Sequence, residues 1–540
     1  MNQGERKGEP LALPAIGRRT FLAGAAATVA ILTVGCSSDS DDAGPTTDGG
    51  AGPKSTTTPE PVNVPELSAD PFTLGVASGD PRPDAVILWT RLAPDAVADD
   101  GSGGMPAEDA DVIWELAADD AFDDLVASGL FTATADHGHS VHVDATGLEA
   151  GTDYHYRFRY ADWTSPAGRT RTLPDGSPER FGVAVANCQM FESGRYGAYA
   201  NLVDEDVDLV LHLGDYIYEY PGGEGERSPK PARPLQALAD YRIRYAAYKS
   251  DPHLQAAHAR FPFVLTWDDH EVANNYMGDL LPGDTDPATG QARKAAAYQG
   301  WWENQPTRLD PPEGSDLPVH QALTVGDLLR LHVLDERQGA AVPPCRDAGN
   351  SGADFGDCAS RADEDRTRLG DDQEAWLTDS LSEGGVTWNL LGNPVVMAGI
   401  DAGADQAAYY LDTWDGFPQA RQRIIDQLAE VSNPVVLTGD YHAGMVLDVH
   451  ATPFDAASKV VAPEFMSPPI SSVIFGSDVS ARTPHLRQQL NEHGYLTVTV
   501  TPDQLTATYR VLADVGDAGS TVSTAATWLV DAGDPIAKKA

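Results

Sequence analysis

From Arg180 onward the sequence is a succession of short apolar runs divided by helical segments, and this alternation narrows the choice of fold more than any other feature. The runs are FGVAVANCQ, VDLVLHLGDYIY, FPFVLTWDDHE, LLRLHVLDERQ, WNLLGNPVVMAG and NPVVLTGDYHAG. Their apolar parts, about five to eight residues each, have the length and uniformity of strands buried on both faces. Segments such as YRIRYAAYKSDPHLQAAHARF intervene. The pattern predicts an α/β (α+β) architecture, a β-sheet core covered by helices. Near the C-terminus, YLTVTVTPDQL and ATYRVL alternate like an antiparallel edge.

The runs also end in a particular way. Asn187 and Cys188, Asp215 and Tyr218, Asp268 with Asp269 and His270, and Asp440 and His442 each follow an apolar stretch. In open α/β sheets, side chains just past the strand ends converge on one crevice. Any one pair would serve as a helix N-cap or an Asx-turn. Their repetition instead predicts a shared metal centre, with Asp215 and Tyr218 spaced to reach the same ion. Thiolate, phenolate and imidazole together suit a redox-capable, fairly hard ion such as Fe(III). The surplus carboxylates Asp268 and Asp269 suit calcium or magnesium beside it. A carboxylate shared by two ions, Asp215, would hold them close enough to clamp one substrate oxygen. Such a centre activates water for in-line displacement at phosphorus.

Bulk properties set outer limits. A chain of 540 residues that is 41% hydrophobic, with ten tryptophans, has enough to fill at least two domains. The balance of 81 acidic against 37 basic residues, net −44, repels phosphate backbones and anionic membranes and argues against nucleic acid as a partner.

The N-terminus, GRRTFLAGAAATVAILTVGC, pairs Arg18 and Arg19 ahead of an apolar stretch short for a membrane span. This is a twin-arginine export signal, which implies a Tat translocase partner and an extracytoplasmic location. Cys36, before SSDSDD, fits a lipoprotein site that would anchor the protein to the outer face of the membrane. The domain plan is thus a signal over 1–36 and a polar tether over 37–68, then a small all-β sandwich over 69–175. A catalytic domain over 180–515 and a tail over 516–540 follow. His137, His139 and His142 read as surface or strand-face residues of the sandwich. Cys345 and Cys358 bracket a polar loop and are expected to pair in an oxidising compartment.

GDYIY, TWDDHEVANN and TGDYHAG resemble the successive signature blocks of the PhoD-like alkaline phosphatases, relatives of the purple acid phosphatases in the metallophosphoesterase group. GVASGDPRPDAVILWTRL is similar to that family's N-terminal β domain, and SGRYGAYANL, LGDDQEAWL and GNPVVMAG extend the likeness along nearly the whole mature chain. The resemblance implies an exported phosphoric ester hydrolase working by attack of a metal-bound hydroxide, without a phosphoenzyme. It implies iron held by Cys188, Asp215, Tyr218, Asp440 and His442. One or two calcium ions would draw on Asp215, Asp268 or Asp269, and Asp440, with Asn275 a further candidate. It also offers His270 as the acid for the leaving group and Arg195 as a phosphate contact. Two segments depart from the family pattern, LDERQGAAVPPC and EFMSPPISS. Both are expected to border the substrate pocket and to leave the metal chemistry intact. The alternatives are a phosphodiesterase of phospholipase D type acting on lipids or teichoic acid, and a non-catalytic binding module.

Overall fold

Alternate side chains of the apolar runs go to different layers, and this sorts the chain into a sandwich. In the strand Leu209–Leu213, Leu209, Leu211 and Leu213 pack into a core shared by two sheets, while Val210 turns to a core under helices. Phe181–Ala186 divides in the same way, with Val183 and Val185 on one side and Ala184 and Ala186 on the other. The computed structural model describes residues 60–221, 227–281, 287–342, 344–345, 355–400, 409–476 and 478–540. The expected signal and Cys36 lie outside them, as does the tether as far as residue 59.

One sheet has ten strands. At its centre Phe181–Ala186, Leu209–Leu213 and Pro262–Thr266 run parallel, and Val76–Gly79 joins the last of these, also parallel. The second sheet has seven strands, with Leu329–Val333, Trp388–Asn393, Pro434–Thr438 and Val460–Met466 parallel to one another. The helices Leu238–Lys249, Pro252–Arg260 and Pro287–Asn304 cover the first sheet. Asp371–Ser382 and Pro418–Leu428 cover the second. The helix-covered sheet core is therefore present, built as two sheets face to face.

The expected boundaries shift in three places. Val76–Gly79, Ala85–Arg91 and Ser140–Thr146 belong to the ten-stranded sheet, so one layer of the N-terminal sandwich continues the main sheet. Residues 60–68 are not free tether. Val64 and Leu67 pack on the sandwich core, and Asp111 accepts the N–H groups of Val62 and Asn63 at 3.0 Å. The expected tail carries Val522–Asp531, a strand paired with Gln504–Leu512 on one side and the short edge strand Lys538–Lys539 on the other, whose Ala526, Trp528 and Val530 fill the inter-sheet core. His139 is buried against the carbonyl of Glu108 rather than exposed. Cys345 and Cys358 form a disulfide. Among the described residues, no helix is long and apolar enough to cross a membrane.

Candidate metal centre

Parallel strands deliver their C-terminal ends to the same edge, and the turns beyond them are bent sharply. A positive φ is uncommon outside glycine. Yet Cys188 (53°), Asp215 (55°), Asn275 (54°), Asp440 (65°) and His442 (53°) all adopt it. Such conformations persist where the surroundings over-determine them. Here a buried carboxylate, Glu271, supplies part of the restraint. It accepts the backbone N–H groups of Asp215 (3.1 Å), Tyr216 (2.7 Å) and Asp268 (3.0 Å), tying two strand ends together. Gly214, at φ +97°, lets these turns touch, since a Cβ there would sit 2.4 Å from the backbone nitrogen of Asp268.

Cys188, Asp215 and His442 present ligand atoms within 4.8 Å of one another, and so do Asp215, Asp269 and His270. Asp215 is common to both groups. The Cys188 thiol (3.4 Å) and the Tyr218 hydroxyl (2.8 Å) both donate to Asp215 Oδ2. Tyr218 Oη also lies 3.2 Å from His442 Nε2. His442 donates through Nδ1 to the carbonyl of Val473 at 2.7 Å, which turns Nε2 toward the cluster as metal-bound histidines require.

The electrostatics suit cations. Burial first, and then neighbouring carboxylates, raise the pKa of Asp215, Asp440 and the Cys188 thiol. Oδ1 of Asp215, Oδ2 of Asp268 and Oδ2 of Asp440 are buried without a hydrogen-bond partner. Buried polar atoms rarely go unpaired, and acceptor-only oxygens beside a thiol and a phenol are what bound cations would satisfy.

Asp268 is partly committed elsewhere. The fully buried Arg337 donates through Nε to Asp268 Oδ1 (2.5 Å) and in two-point fashion to Asp412 (2.8 Å each), and it lies 3.7 Å from Asp269. Both Asp412 oxygens therefore accept from Arg337, whereas Asp268 keeps Oδ2 without a hydrogen-bond partner. Burial raises Asp268 to about 6 despite that pairing, whereas the charges of His270 and Arg337 overcome burial at Asp269 and hold it near 2. Asn275 donates its backbone N–H to Asp269 Oδ2 at 2.5 Å. Asp440 stands outside both 4.8 Å groups. Arg195 is positioned by its N–H on the carbonyl of Val515.

His270 is clamped. Its Nδ1 donates to Glu219 Oε2 at 2.7 Å, while Glu219 Oε1 accepts the N–H of Asn274 at 2.8 Å. The ring lies 4.1 Å from that of Tyr218 and 5.2 Å from that of Tyr220.

Comparison with known proteins matches the chain to a family. Residues 183–509 match the model described as PhoD-like phosphatase, and residues 57–174 match its N-terminal domain. The chain belongs to the PhoD-like phosphatase family. Alkaline phosphatase D of Bacillus subtilis (strain 168) is 40% identical over 492 residues, spanning 86% of this chain and 82% of that protein. A solved structure of PhoD superposes with a TM-score of 0.83 at 38% identity, covering 88% of this chain and 93% of that one. Membership puts the chain among the phosphoric ester hydrolases.

Four residues that touch the expected site residues are silent in the sequence: Glu219, Glu271, Arg337 and Ser472. Arg337 and Ser472 lie in the two segments that depart from the family pattern. Each of those segments touches an expected ligand, Arg337 on Asp268 and Ser472 on Tyr218. The signal available lay in the position of the segments: LDERQ follows the buried strand Leu329–Val333, and SPPISS follows Val460–Met466.

Proposed function

We propose that this family member is a metal-dependent phosphatase whose active site is the strand-end cluster. The observation that carries the reading is Asp215, shared by a thiol–imidazole group and a carboxylate–imidazole group. On this reading Cys188, Asp215, Tyr218, Asp440 and His442 hold Fe(III). Asp215, Asp269 and Asp440, with Asp268 Oδ2 and Asn275 at the margin, hold one or two calcium ions. When bound, the ions would lower the pKa of a water and neutralise charge on the phosphoryl group.

The protein's own groups do the rest. Glu219 fixes the ring plane of His270 and takes its Nδ1–H, leaving the opposite nitrogen for the departing alkoxide or phenoxide. Arg195 would meet the phosphoryl oxygens from the loop after Cys188. Arg337 is not available for substrate, because three aspartates surround it. The twin-arginine signal and Cys36 support export through the Tat translocase, with retention at the outer membrane face by a lipid.

A phosphodiesterase reading has its own support. Phe475, 62% exposed, stacks on the His442 ring at 4.6 Å, and Val473 (59%) and Tyr220 (39%) are exposed beside His442 and His270. An apolar rim favours a second ester group over a terminal dianion. The deciding experiment compares an aryl phosphate monoester with its diester, before and after chelation. Chelator-sensitive turnover favouring the monoester supports the phosphatase. Preference for the diester supports the alternative. Turnover that survives complete metal removal overturns both.

A further inference from the structure

We infer that Ser472 is a positioning residue that tunes the bond between Tyr218 and the iron by donating a hydrogen bond to the phenol oxygen. The inference rests on the reading of Tyr218 as an iron ligand. Ser472 is fully buried, and each of its polar groups has a defined partner. Its N–H donates to the carbonyl of Cys188 at 3.1 Å, and its carbonyl accepts from His493 Nε2 at 2.9 Å. Its hydroxyl oxygen accepts the N–H of Met190 at 3.1 Å.

A serine hydroxyl carries one proton, and this one is aimed at Tyr218 Oη, 2.7 Å away. Tyr218 in turn donates to Asp215 Oδ2 at 2.8 Å. The chain of donors runs in one direction, from Met190 through Ser472 and Tyr218 to Asp215. With a cation bound, Tyr218 would have released its phenol proton to solvent, and the Ser472 hydroxyl would donate to a phenolate. Charge-assisted hydrogen bonds of this kind are short and strong. The bond draws electron density from the oxygen and weakens its donation to the metal. Outer partners of this sort orient and tune ligands. Because the same residue caps the Cys188 carbonyl, it also ties the thiol and phenol ligands into one frame.

The test is the visible charge-transfer band expected of a phenolate bound to Fe(III), read on the purified, iron-loaded protein. Ser472→Ala removes the donor, which makes the phenolate more electron-rich and moves the band to longer wavelength. Ser472→Thr keeps a hydroxyl and returns the band toward its original position. Ser471→Ala disturbs the same loop, whose Ser471 hydroxyl donates to the Met190 carbonyl at 2.8 Å without touching Tyr218, and leaves the band in place. If the alanine variant does not retain iron, Ser472→Cys carries the test, its weak S–H donor giving an intermediate position. An unshifted band in Ser472→Ala, or equal shifts in both alanine variants, overturns the inference. No visible band in the iron-loaded wild-type protein removes Tyr218 from the metal, a separate failure that takes the inference with it.

Discussion

Single residues divide into those whose type and position announce them and those that act only through space. Cys188, Asp215, Tyr218 and His442 each follow a buried strand and carry a ligand atom, so the sequence exposes them. Glu219 looks like one more acidic residue in YIYEYP; only the 2.7 Å contact with His270 gives it a role. That role is testable by a double-mutant cycle. Glu219→Gln is expected to slow esters with poor leaving groups more than those with good ones, and to cost nothing further in a His270→Gln background. Additive losses would mean that Glu219 acts elsewhere. Arg337 is equally silent in sequence. Arg337→Met strips a buried cation from Asp268 and Asp412, and unpairing such groups typically costs about 3–5 kcal/mol. Urea unfolding should show a loss of that size in Arg337→Met, and a smaller one once Asp412→Asn is added.

At the scale of elements, the existence of buried strands was legible, and their division between two sheets was not. Strands covered on both faces read alike whether the cover is a helix or a second sheet. Val522–Asp531 is hard to read because its alternation is blurred: apolar residues stand at exposed or half-buried positions (Val522, Ala525, Leu529) as well as at buried ones (Ala526, Trp528, Val530). The turn after Leu209–Leu213 is the most exacting piece of backbone in the site. Gly214→Ala would force a left-handed alanine and drive its Cβ into Asp268. The expected result is a folded but less stable protein with depleted metal and activity reduced at least tenfold. Near-normal metal content would show that the turn has slack. The disulfide joins residues separated by 13 positions. Changing both cysteines to serine should lower stability by about 3 kcal/mol or less, on the chain-entropy estimate for a loop of about that length. Thermal unfolding with and without reductant checks this in the unmodified protein.

For the whole molecule, buried histidines contribute a loss of stability in acid. His142 and His332 are held neutral by burial, each with its pKa lowered to about 4. The unfolded chain, with histidines near 6.5, takes up these protons first as pH falls. Stability is therefore lost between about pH 6.5 and 4, at up to about 1.4 kcal/mol per pH unit for each such group. His332→Gln should flatten the pH dependence of urea midpoints across that window, and an unchanged slope would count against it.

Asp215 is the residue common to the two proposed ion sites. The direct measurement is metal stoichiometry in Asp215→Asn, Cys188→Ser and Asp269→Asn, all loaded identically. Cys188→Ser is expected to lose chiefly iron and Asp269→Asn chiefly calcium, and Asp215→Asn is expected to be depleted of both. An Asp215→Asn variant retaining wild-type amounts of both metals would contradict that shared role.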